Sequence, residues 1–251
     1  MTGERIENLV IGLGVTGRAV ARALVQRGHS VVATEDRPSE PTRSAAYELG
    51  VEVHESPTEK EVDALVARAD RVLPSPGIPD HHPAMVAARA RGAAVRSELD
   101  LAAEWDDRPI VAITGTNGKT TVTTLVTEMI EEGGRHAVAA GNTDVPLVEA
   151  IDDPTVDVFV VEASSFRIGH SHRFAPQVAT WLNFSPDHLD VHESLAAYEA
   201  AKAQIFRDQG PDDVAVVNAD DPVVMSHGGP ARRVSFSATS GDWRVWDAQL
   251  V

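Results

Sequence analysis

The sequence contains no cysteine, which excludes disulfides, thiolate nucleophiles and zinc sites built on thiolates. Lysine is almost as scarce, because only Lys60, Lys119 and Lys202 are present among the 22 Lys and Arg residues. The 38 Asp and Glu residues leave a net charge of −16, which argues against nonspecific binding to nucleic acid or to an anionic membrane surface. A polyanionic ligand must therefore be bound by local cations and backbone amides.

Long apolar runs are also lacking. No run approaches the roughly 20 residues that cross a bilayer. The first residues have neither the cationic start nor the small-residue cleavage site of a signal peptide. Hydrophobic residues make up 43% of the chain and charged residues 24%, as in ordinary globular proteins. Together, these three observations lead us to expect a cytoplasmic protein.

Short β-branched runs alternate with helical stretches along the chain, which predicts an α/β fold with parallel, doubly wound sheets. A polar break over residues 105–109 separates two such units. We predict a first domain at residues 1–104 and a second at residues 109–251. The predicted helices include residues 83–91, 119–132 and 195–207, and the last predicted strand covers residues 243–251.

A glycine-rich turn, Gly-Leu-Gly-Val-Thr-Gly at residues 12–17, follows the first predicted strand and opens a helix. Asp36 ends the next strand, which is the spacing of a nucleotide-binding fingerprint. The glycines and helix amides would approach a diphosphate, and the carboxylate would accept hydrogen bonds from a ribose or base. The pattern fits NAD, FAD or a UDP-sugar, and a purely structural turn remains an alternative. Residues 75–77, Ser-Pro-Gly, would lie at the same sheet edge or form an ordinary turn.

A second phosphate-binding motif, Ile-Thr-Gly-Thr-Asn-Gly-Lys-Thr-Thr, occupies residues 113–121 between a predicted buried strand and a helix. Ile113 stands where the general pattern has glycine, so the loop is a shortened variant. Backbone amides would bind phosphates, Lys119 would contact the terminal phosphates, and the Thr120 hydroxyl would ligate Mg²⁺.

Three later residues are candidates for the chemistry around this loop. Glu162 follows a predicted buried strand, where a carboxylate can hold the Mg²⁺ of a nucleotide or can instead be satisfied by a helix N-terminus. His188 lies in a loop after another strand and is either an imidazole ligand or a plain loop residue. Lys202 lies among small residues on a predicted helix, as a partly buried amine with a lowered pKa or as a solvated lysine. We expect the following histidines at the surface: His81, His82, His170, His172 and His227.

Taken in order, these motifs resemble those of the Mur ligases over almost the whole chain. Four further segments share the resemblance, at residues 162–166, 183–190, 201–202 and 218–221. The resemblance implies a Rossmann-like UDP-sugar-binding domain followed by a P-loop, ATP-binding central domain. It also implies an ATP-dependent ligase of peptidoglycan precursor synthesis. Asn117 and the glycine-rich turn favour the branch that adds D-glutamate to UDP-N-acetylmuramoyl-L-alanine through an acyl phosphate.

The resemblance further implies roles for individual residues. The UDP part of the substrate would contact Gly14, Val15, Thr16, Gly17, Asp36, Arg37, Ser75, Pro76 and Gly77. ATP would contact Gly115, Thr116, Asn117, Gly118, Lys119, Thr120, Thr121, Asn142 and Asn218. Two Mg²⁺ sites are implied, one at Thr120 and Glu162 and the other at His188 and a carbamylated Lys202. The residues implied to be catalytic are Lys119, Glu162, His188 and Lys202.

The chain departs from the family pattern at three points. Asp144 replaces a glycine and adds negative charge near the phosphates, and Arg167 replaces a glutamine and adds a cation to the substrate channel.

The family's C-terminal domain, which carries the amino-acid site, lies outside these 251 residues, and we expect the central domain to be incomplete. We therefore expect UDP-sugar to bind, ATP to bind weakly, D-glutamate to bind only if that domain is supplied, and no amide bond to form. Two alternatives stay open: a non-catalytic nucleotide- or UDP-sugar-binding paralogue, and an NAD-dependent oxidoreductase, which leaves the second phosphate loop unexplained.

Overall fold

The computed structural model describes residues 4–189, 191–246 and 249–250. The chain forms two compact α/β units, Met1–Leu101 and Ala102–Val251. Within the described residues, no helix is both long enough and apolar enough to cross a membrane.

The first unit is a five-stranded parallel sheet with the strand order β3-β2-β1-β4-β5. Its elements are β1 (Ile6–Ile11), α1 (Val15–Gln26), β2 (Val31–Glu35), α2 (Glu40–Leu49), β3 (Glu52–Glu55), α3 (Glu59–Val66), β4 (Ala69–Pro74), α4 (Pro83–Arg91) and β5 (Ala94–Val95). Leu9 and Val72 are fully buried in the core of this sheet. Because the strand order reverses between β1 and β4, the loops after these strands meet at a switch point, where such folds bind ligands.

The boundary between the units falls within α5 (Glu98–Trp105). The second unit contains an eight-stranded sheet with the order β13-β12-β11-β10-β9-β6-β8-β7. Its elements are β6 (Ile110–Thr114), α6 (Lys119–Glu132), β7 (Ala137–Gly141), α7 (Leu147–Ala150), β8 (Val158–Glu162), α8 (Ser165–Ile168), β9 (Val178–Trp181), α9 (Leu195–Ala203), β10 (Val214–Asn218), α10 (Pro222–Ser226), β11 (Arg232–Ser237), β12 (Trp243–Trp246) and β13 (Gln249–Leu250). All neighbouring strands are parallel except β12 and β13. The carboxyl ends of β6, β8 and β7 are adjacent, which places the loops that follow them at one edge.

The predicted α/β architecture with parallel sheets is confirmed in both units. The single strand predicted over residues 243–251 is wrong, because β12 and β13 form an antiparallel pair there and residues 247, 248 and 251 lie outside the described residues. The helix predicted over residues 195–207 ends earlier, and a 3₁₀ turn, Gln204–Phe206, continues it.

Candidate functional site

The phosphate loop joins β6 to α6 and depends on two glycines. Gly118 precedes the helix with φ +83°, a left-handed conformation that glycine adopts without steric strain. A Cβ on Gly115 would lie 3.0 Å from the Leu182 side chain. The loop therefore turns tightly into the N-terminus of a 14-residue helix, whose first amides are available to an anion.

Asn183, at the end of the neighbouring strand, holds this loop in place. Its side-chain oxygen accepts hydrogen bonds from the backbone amides of Thr116 (3.0 Å) and Asn117 (2.9 Å), and its amide donates to the Asn117 carbonyl (3.0 Å). The sequence motif included Asn183 but gave it no role. The sequence could not show the contact between Asn183 and the loop, because that contact depends on β6 and β9 being neighbours in the sheet.

Lys119 is half-buried and folds back over the loop. Its ammonium donates to the carbonyl oxygens of Gly115 and Thr116, both at 3.0 Å. An ammonium has three donors, so one remains for a ligand.

Glu162 ends β8, where it lies next to the ends of both β6 and β7. Its carboxylate is buried and accepts one hydrogen bond from the Thr120 hydroxyl (2.7 Å) and one from the Asn142 side-chain amide (2.8 Å). The structure thus brings together three residues from three separate segments.

Lys202 projects from α9 into the interior and is only 1% exposed. Its ammonium donates to the Gly115 carbonyl (2.7 Å) and lies 4.6 Å from the centroid of the Tyr198 ring. Burial, reinforced by the nearby Lys119 charge and opposed by Asp187, lowers the pKa of Lys202 to about 7. The alternative of a solvated helix lysine is therefore wrong.

His188 is half-buried, with φ +54°, and contacts the rings of Phe166 and Tyr198. Its Nε2 lies 3.7 Å from a carboxylate oxygen of Asp187. Asp190, the last residue of the predicted segment, lies outside the described residues.

A cavity of about 380 Å³ joins these groups. It is lined by residues 116–121 together with Asn142, Glu162, Ser164, Ser165, Phe166, His188 and Lys202. Other residues implied for ATP are set back from it: Gly115 is buried beneath the loop, and the Asn218 side chain donates to the Leu182 carbonyl (2.9 Å). Asp144 is exposed and Arg167 is 5% exposed, and neither belongs to the cavity lining among the described residues.

The residues of this cavity fit phosphates with Mg²⁺. The Thr120 hydroxyl and Glu162 offer the hard oxygen donors that Mg²⁺ prefers. Ser164 lines the cavity, and its buried hydroxyl has no hydrogen-bond partner among the residues that the structure describes. No three His, Asp or Glu side chains converge as a metal cluster in the described part of the chain, so His188 and Lys202 become a Mg²⁺ site only if the amine carries carbamate oxygens.

The glycine-rich turn of the first unit is equally tight. A Cβ on Gly17 would lie 1.9 Å from the Gly12 carbonyl oxygen. The Ser75 hydroxyl donates to that same oxygen (2.8 Å), which brings the segment of residues 75–77 to the turn.

The carboxylate that binds this turn belongs to Glu35 and not to Asp36. Glu35 accepts hydrogen bonds from the backbone amides of Leu13 (2.7 Å) and Arg37 (2.9 Å), whereas Asp36 binds the Nε2 of His82 (2.9 Å). Successive side chains of a strand point to opposite sides. The approximate distance in sequence from the glycine-rich turn therefore could not show whether Glu35 or Asp36 faces the turn.

Of the histidines expected at the surface, His82 is buried, so that expectation is wrong. His170 and His227 are half-buried. His82 is 8% exposed, and His227 stacks on Trp181 and binds Glu199 at 2.7 Å. The sequence analysis also missed His192, which is buried, stacks on Phe166 and hydrogen-bonds the Ser165 hydroxyl (2.9 Å). His81 and His172 are exposed as expected.

Comparison with known families decides how these two units are classified. Residues 113–251 match the family model of the Mur ligase middle domain, and residues 6–97 match that of the Mur ligase MurD-like N-terminal domain. The chain belongs to the Mur ligase family. This membership accounts for both phosphate-binding motifs, including the one that an NAD-dependent oxidoreductase would leave unexplained.

Curated Mur ligase relatives carry the name UDP-N-acetylmuramoylalanine–D-glutamate ligase. The protein of Syntrophus aciditrophicus is 42% identical over 225 residues, which cover 88% of this chain and 49% of the relative. The protein of Symbiobacterium thermophilum is 39% identical, with 100% of this chain and 56% of the relative covered. The chain spans about half the length of the curated relatives it matches.

A solved Mur ligase structure shares the fold at low sequence identity. UDP-N-acetylmuramate:L-alanyl-gamma-D-glutamyl-meso-diaminopimelate ligase from Neisseria meningitides superposes with a TM-score of 0.62 at 18% identity, covering 98% of this chain and 86% of that one. The likeness supports the architecture and nothing finer.

Proposed function

We propose that this chain is the UDP-sugar- and ATP-binding portion of a Mur ligase that adds D-glutamate to UDP-N-acetylmuramoyl-L-alanine in the cytoplasm, with neither nucleic acid nor membrane as a partner. One observation carries the ATP part of the proposal. The Glu162 carboxylate binds Thr120 and Asn142 in the same cavity as Lys119 and the phosphate loop. The names of the curated relatives support the choice of D-glutamate.

The loop residues would bind and neutralise the phosphates of ATP. The amides at the start of α6 and the remaining donor of Lys119 face the charge that develops on the transferred phosphoryl group. Thr120 and Glu162 would hold a Mg²⁺ ion, which would supply further charge neutralisation there. The phosphoryl group passes to the alanyl carboxylate and ADP leaves; the D-glutamate amine then forms the amide bond and phosphate leaves.

Lys202 would serve this site as a carbamate. Its neutral amine attacks the carbon of CO₂, forms an N–C bond and releases a proton, so that a buried cation becomes an anionic oxygen donor beside His188. Arginine cannot take this role, because its guanidinium stays protonated. Labelling with ¹³CO₂ and ¹³C NMR tests the step, since a carbamate resonance should appear in the wild type and be absent from Lys202→Met.

The first unit would bind the uridine diphosphate. Backbone amides of residues 14–17 lie at the start of α1, the place where helices of such folds meet a diphosphate. Ser75, Pro76 and Gly77 lie beside them through the bond from Ser75 to Gly12. Asp36 and Arg37 follow β2 at the same edge.

Calorimetric titration of the 251-residue chain with UDP and, separately, with MgATP tests both halves of the proposal. We expect saturable binding of each ligand. Glu162→Gln should weaken ATP binding in the presence of Mg²⁺ by about tenfold while UDP binding is unchanged, because one charged metal ligand is lost. Glu128→Gln, at an exposed position on α6, is the matched control. Equal Mg²⁺ dependence in the wild type and Glu162→Gln would contradict the metal assignment.

A further inference from the structure

His82 makes two hydrogen bonds that fix its ring. Its Nδ1 accepts a hydrogen bond from the Ala84 amide (3.1 Å) at the start of α4, so the ring hydrogen is on Nε2. That hydrogen is donated to a carboxylate oxygen of Asp36 at 2.9 Å. The ring is buried while the Asp36 side chain is 52% exposed, so a rigid donor supports an accessible acceptor.

Hydrogen bonds also fix the backbone around Asp36, so only its side-chain torsions can still change. Ser56, with φ +46°, donates from its amide to the Glu35 carbonyl (2.8 Å) and from its hydroxyl to the Asp36 carbonyl (3.2 Å). Glu35 in turn accepts from the Arg37 amide. The remaining freedom of Asp36 lies in its side-chain torsions, and His82 restricts these.

Asp36 and His82 share an open cavity of about 280 Å³. Its walls include Pro57, Val62 and Pro83. Ser56 and the exposed Glu59 also line this cavity. Apolar walls beside the oriented Asp36 carboxylate suit a flat ring or ribose that offers an N–H or O–H donor. A carboxylate accepts about four hydrogen bonds, so the bond from His82 leaves capacity for such a ligand.

The segment that carries His82 also reaches the glycine-rich turn. Ser75 binds the Gly12 carbonyl, the Ile78 amide binds the Ser75 carbonyl, and the His82 amide binds the Pro79 carbonyl. One short, internally bonded segment thus contacts both the diphosphate end and the Asp36 end of the proposed nucleotide site.

We propose that His82 is a positioning residue for nucleotide recognition, orienting the Asp36 carboxylate toward a hydrogen-bond donor in the nucleoside part of UDP. The proposal rests on the proposed function of the first unit. His82 would then contribute to the affinity for the nucleoside although it does not contact the phosphates.

Two substitutions separate the two contacts of His82. In His82→Asn the side-chain oxygen can replace Nδ1 as the helix cap, but the amide is too short to reach Asp36. In His82→Gln the terminal amide can replace Nε2 as the donor to Asp36, while the cap is lost. His81→Asn, at the exposed neighbouring position, is the matched control.

Titration of the full 251-residue chain with UDP gives the readout, with the unfolding temperature measured in parallel. We expect His82→Asn to raise the Kd about three- to tenfold at a nearly unchanged unfolding temperature. His82→Gln should recover most of that affinity while unfolding a few degrees lower, roughly as expected for a lost cap. His81→Asn should bind as the wild type does, and in an Asp36→Ala background His82→Asn should cause no further loss.

Each other outcome overturns a specific statement. Wild-type chain that does not bind UDP overturns the proposed function of the first unit, and the positioning role with it. If the wild type binds UDP and either His82→Asn or Asp36→Ala binds it with unaltered affinity, only the positioning role of His82 is overturned. Equal losses in His82→Asn and His82→Gln do so as well, because a purely structural histidine would show no rescue.

Discussion

Two lysines bind the same backbone oxygen. The Gly115 carbonyl accepts from Lys119 at 3.0 Å and from Lys202 at 2.7 Å. Both side chains line the cavity, but Lys119 is half-buried whereas Lys202 is only 1% exposed and has the lowered pKa. Burial is the main cause of the lowered pKa of Lys202, and the nearby Lys119 charge adds to it.

Replacing Lys119 with arginine should reduce affinity for MgATP by at least about tenfold, because the planar guanidinium does not fit between two loop carbonyls and a phosphate as a compact ammonium does. UDP affinity should not change. Calorimetry with both ligands measures the effect, and Lys60→Arg, on an exposed part of α3, controls for the chemical change itself. Wild-type ATP affinity in Lys119→Arg would remove the lysine from the phosphate site.

Stability should depend on pH through Lys202. Its pKa is about 7 in the folded chain and higher when unfolded, so the unfolded state binds more protons above pH 7. The free energy of unfolding of the wild type, relative to Lys202→Met, should therefore rise between pH 7 and 9 by up to about 1.4 kcal/mol per unit. Urea unfolding in CO₂-free buffer tests this, and parallel pH dependence of the two proteins would refute it.

Single residues also show where sequence reasoning reached its limit. Lys119, Thr120 and Glu162 follow strands whose order along the sheet brings them together, which the motifs anticipated. Glu35 and Asp36 could not be separated, because a one-residue shift along a strand reverses the side a side chain faces. The buried His82 ring joins the start of α4 to Asp36, a residue distant in sequence, and no local pattern shows that contact.

At the scale of elements, local pattern sufficed where an element is long. The predicted bounds of α4 and α6 agree with the structure, because Pro83 and Gly118 mark the starts and glycines follow the ends. The helices α7, α8 and α10 contain four or five residues each. A segment of this length shows barely one turn of periodicity, and tertiary packing determines its conformation.

The start of α1 should tolerate no side chain at Gly17. Gly17→Ala places a Cβ against the Gly12 carbonyl and the Ser75 hydroxyl, so we expect it to destabilise the first unit by about 3 kcal/mol and to abolish UDP binding. Gly14→Ala is the stability control, since a Cβ there meets nothing within 4 Å, and it should change the free energy of unfolding by less than about 0.5 kcal/mol. Urea unfolding measures both, and equal stability of the two variants would contradict the close approach of α1.

At the scale of the whole molecule, a net charge of −16 must be compatible with the two anionic ligands that we propose. The structure places helix N-termini at both phosphate-binding motifs. These dipoles and the single ammonium of Lys119 act within a few ångströms, while the acidic surface is screened over about 10 Å at moderate salt. Family membership and net charge are thus compatible.

The isolated 251-residue polypeptide should not complete the ligation. It spans about half the length of its curated relatives, and the proposed cavity accounts for ATP but not for an amino-acid substrate. Incubation with ATP, Mg²⁺, UDP-N-acetylmuramoyl-L-alanine and D-glutamate should give no amide product by mass spectrometry. Sustained turnover would show that these residues are sufficient by themselves.

The side chain of Asn183 has a consequence for how quickly the loop would bind the ATP that we propose as its ligand. Its three hydrogen bonds to the backbone of residues 116 and 117 set the loop before any phosphate arrives. The conformational entropy of ordering this loop is therefore lost during folding and not during the encounter with ATP. A loop prepared in this way accepts its ligand without first having to rearrange.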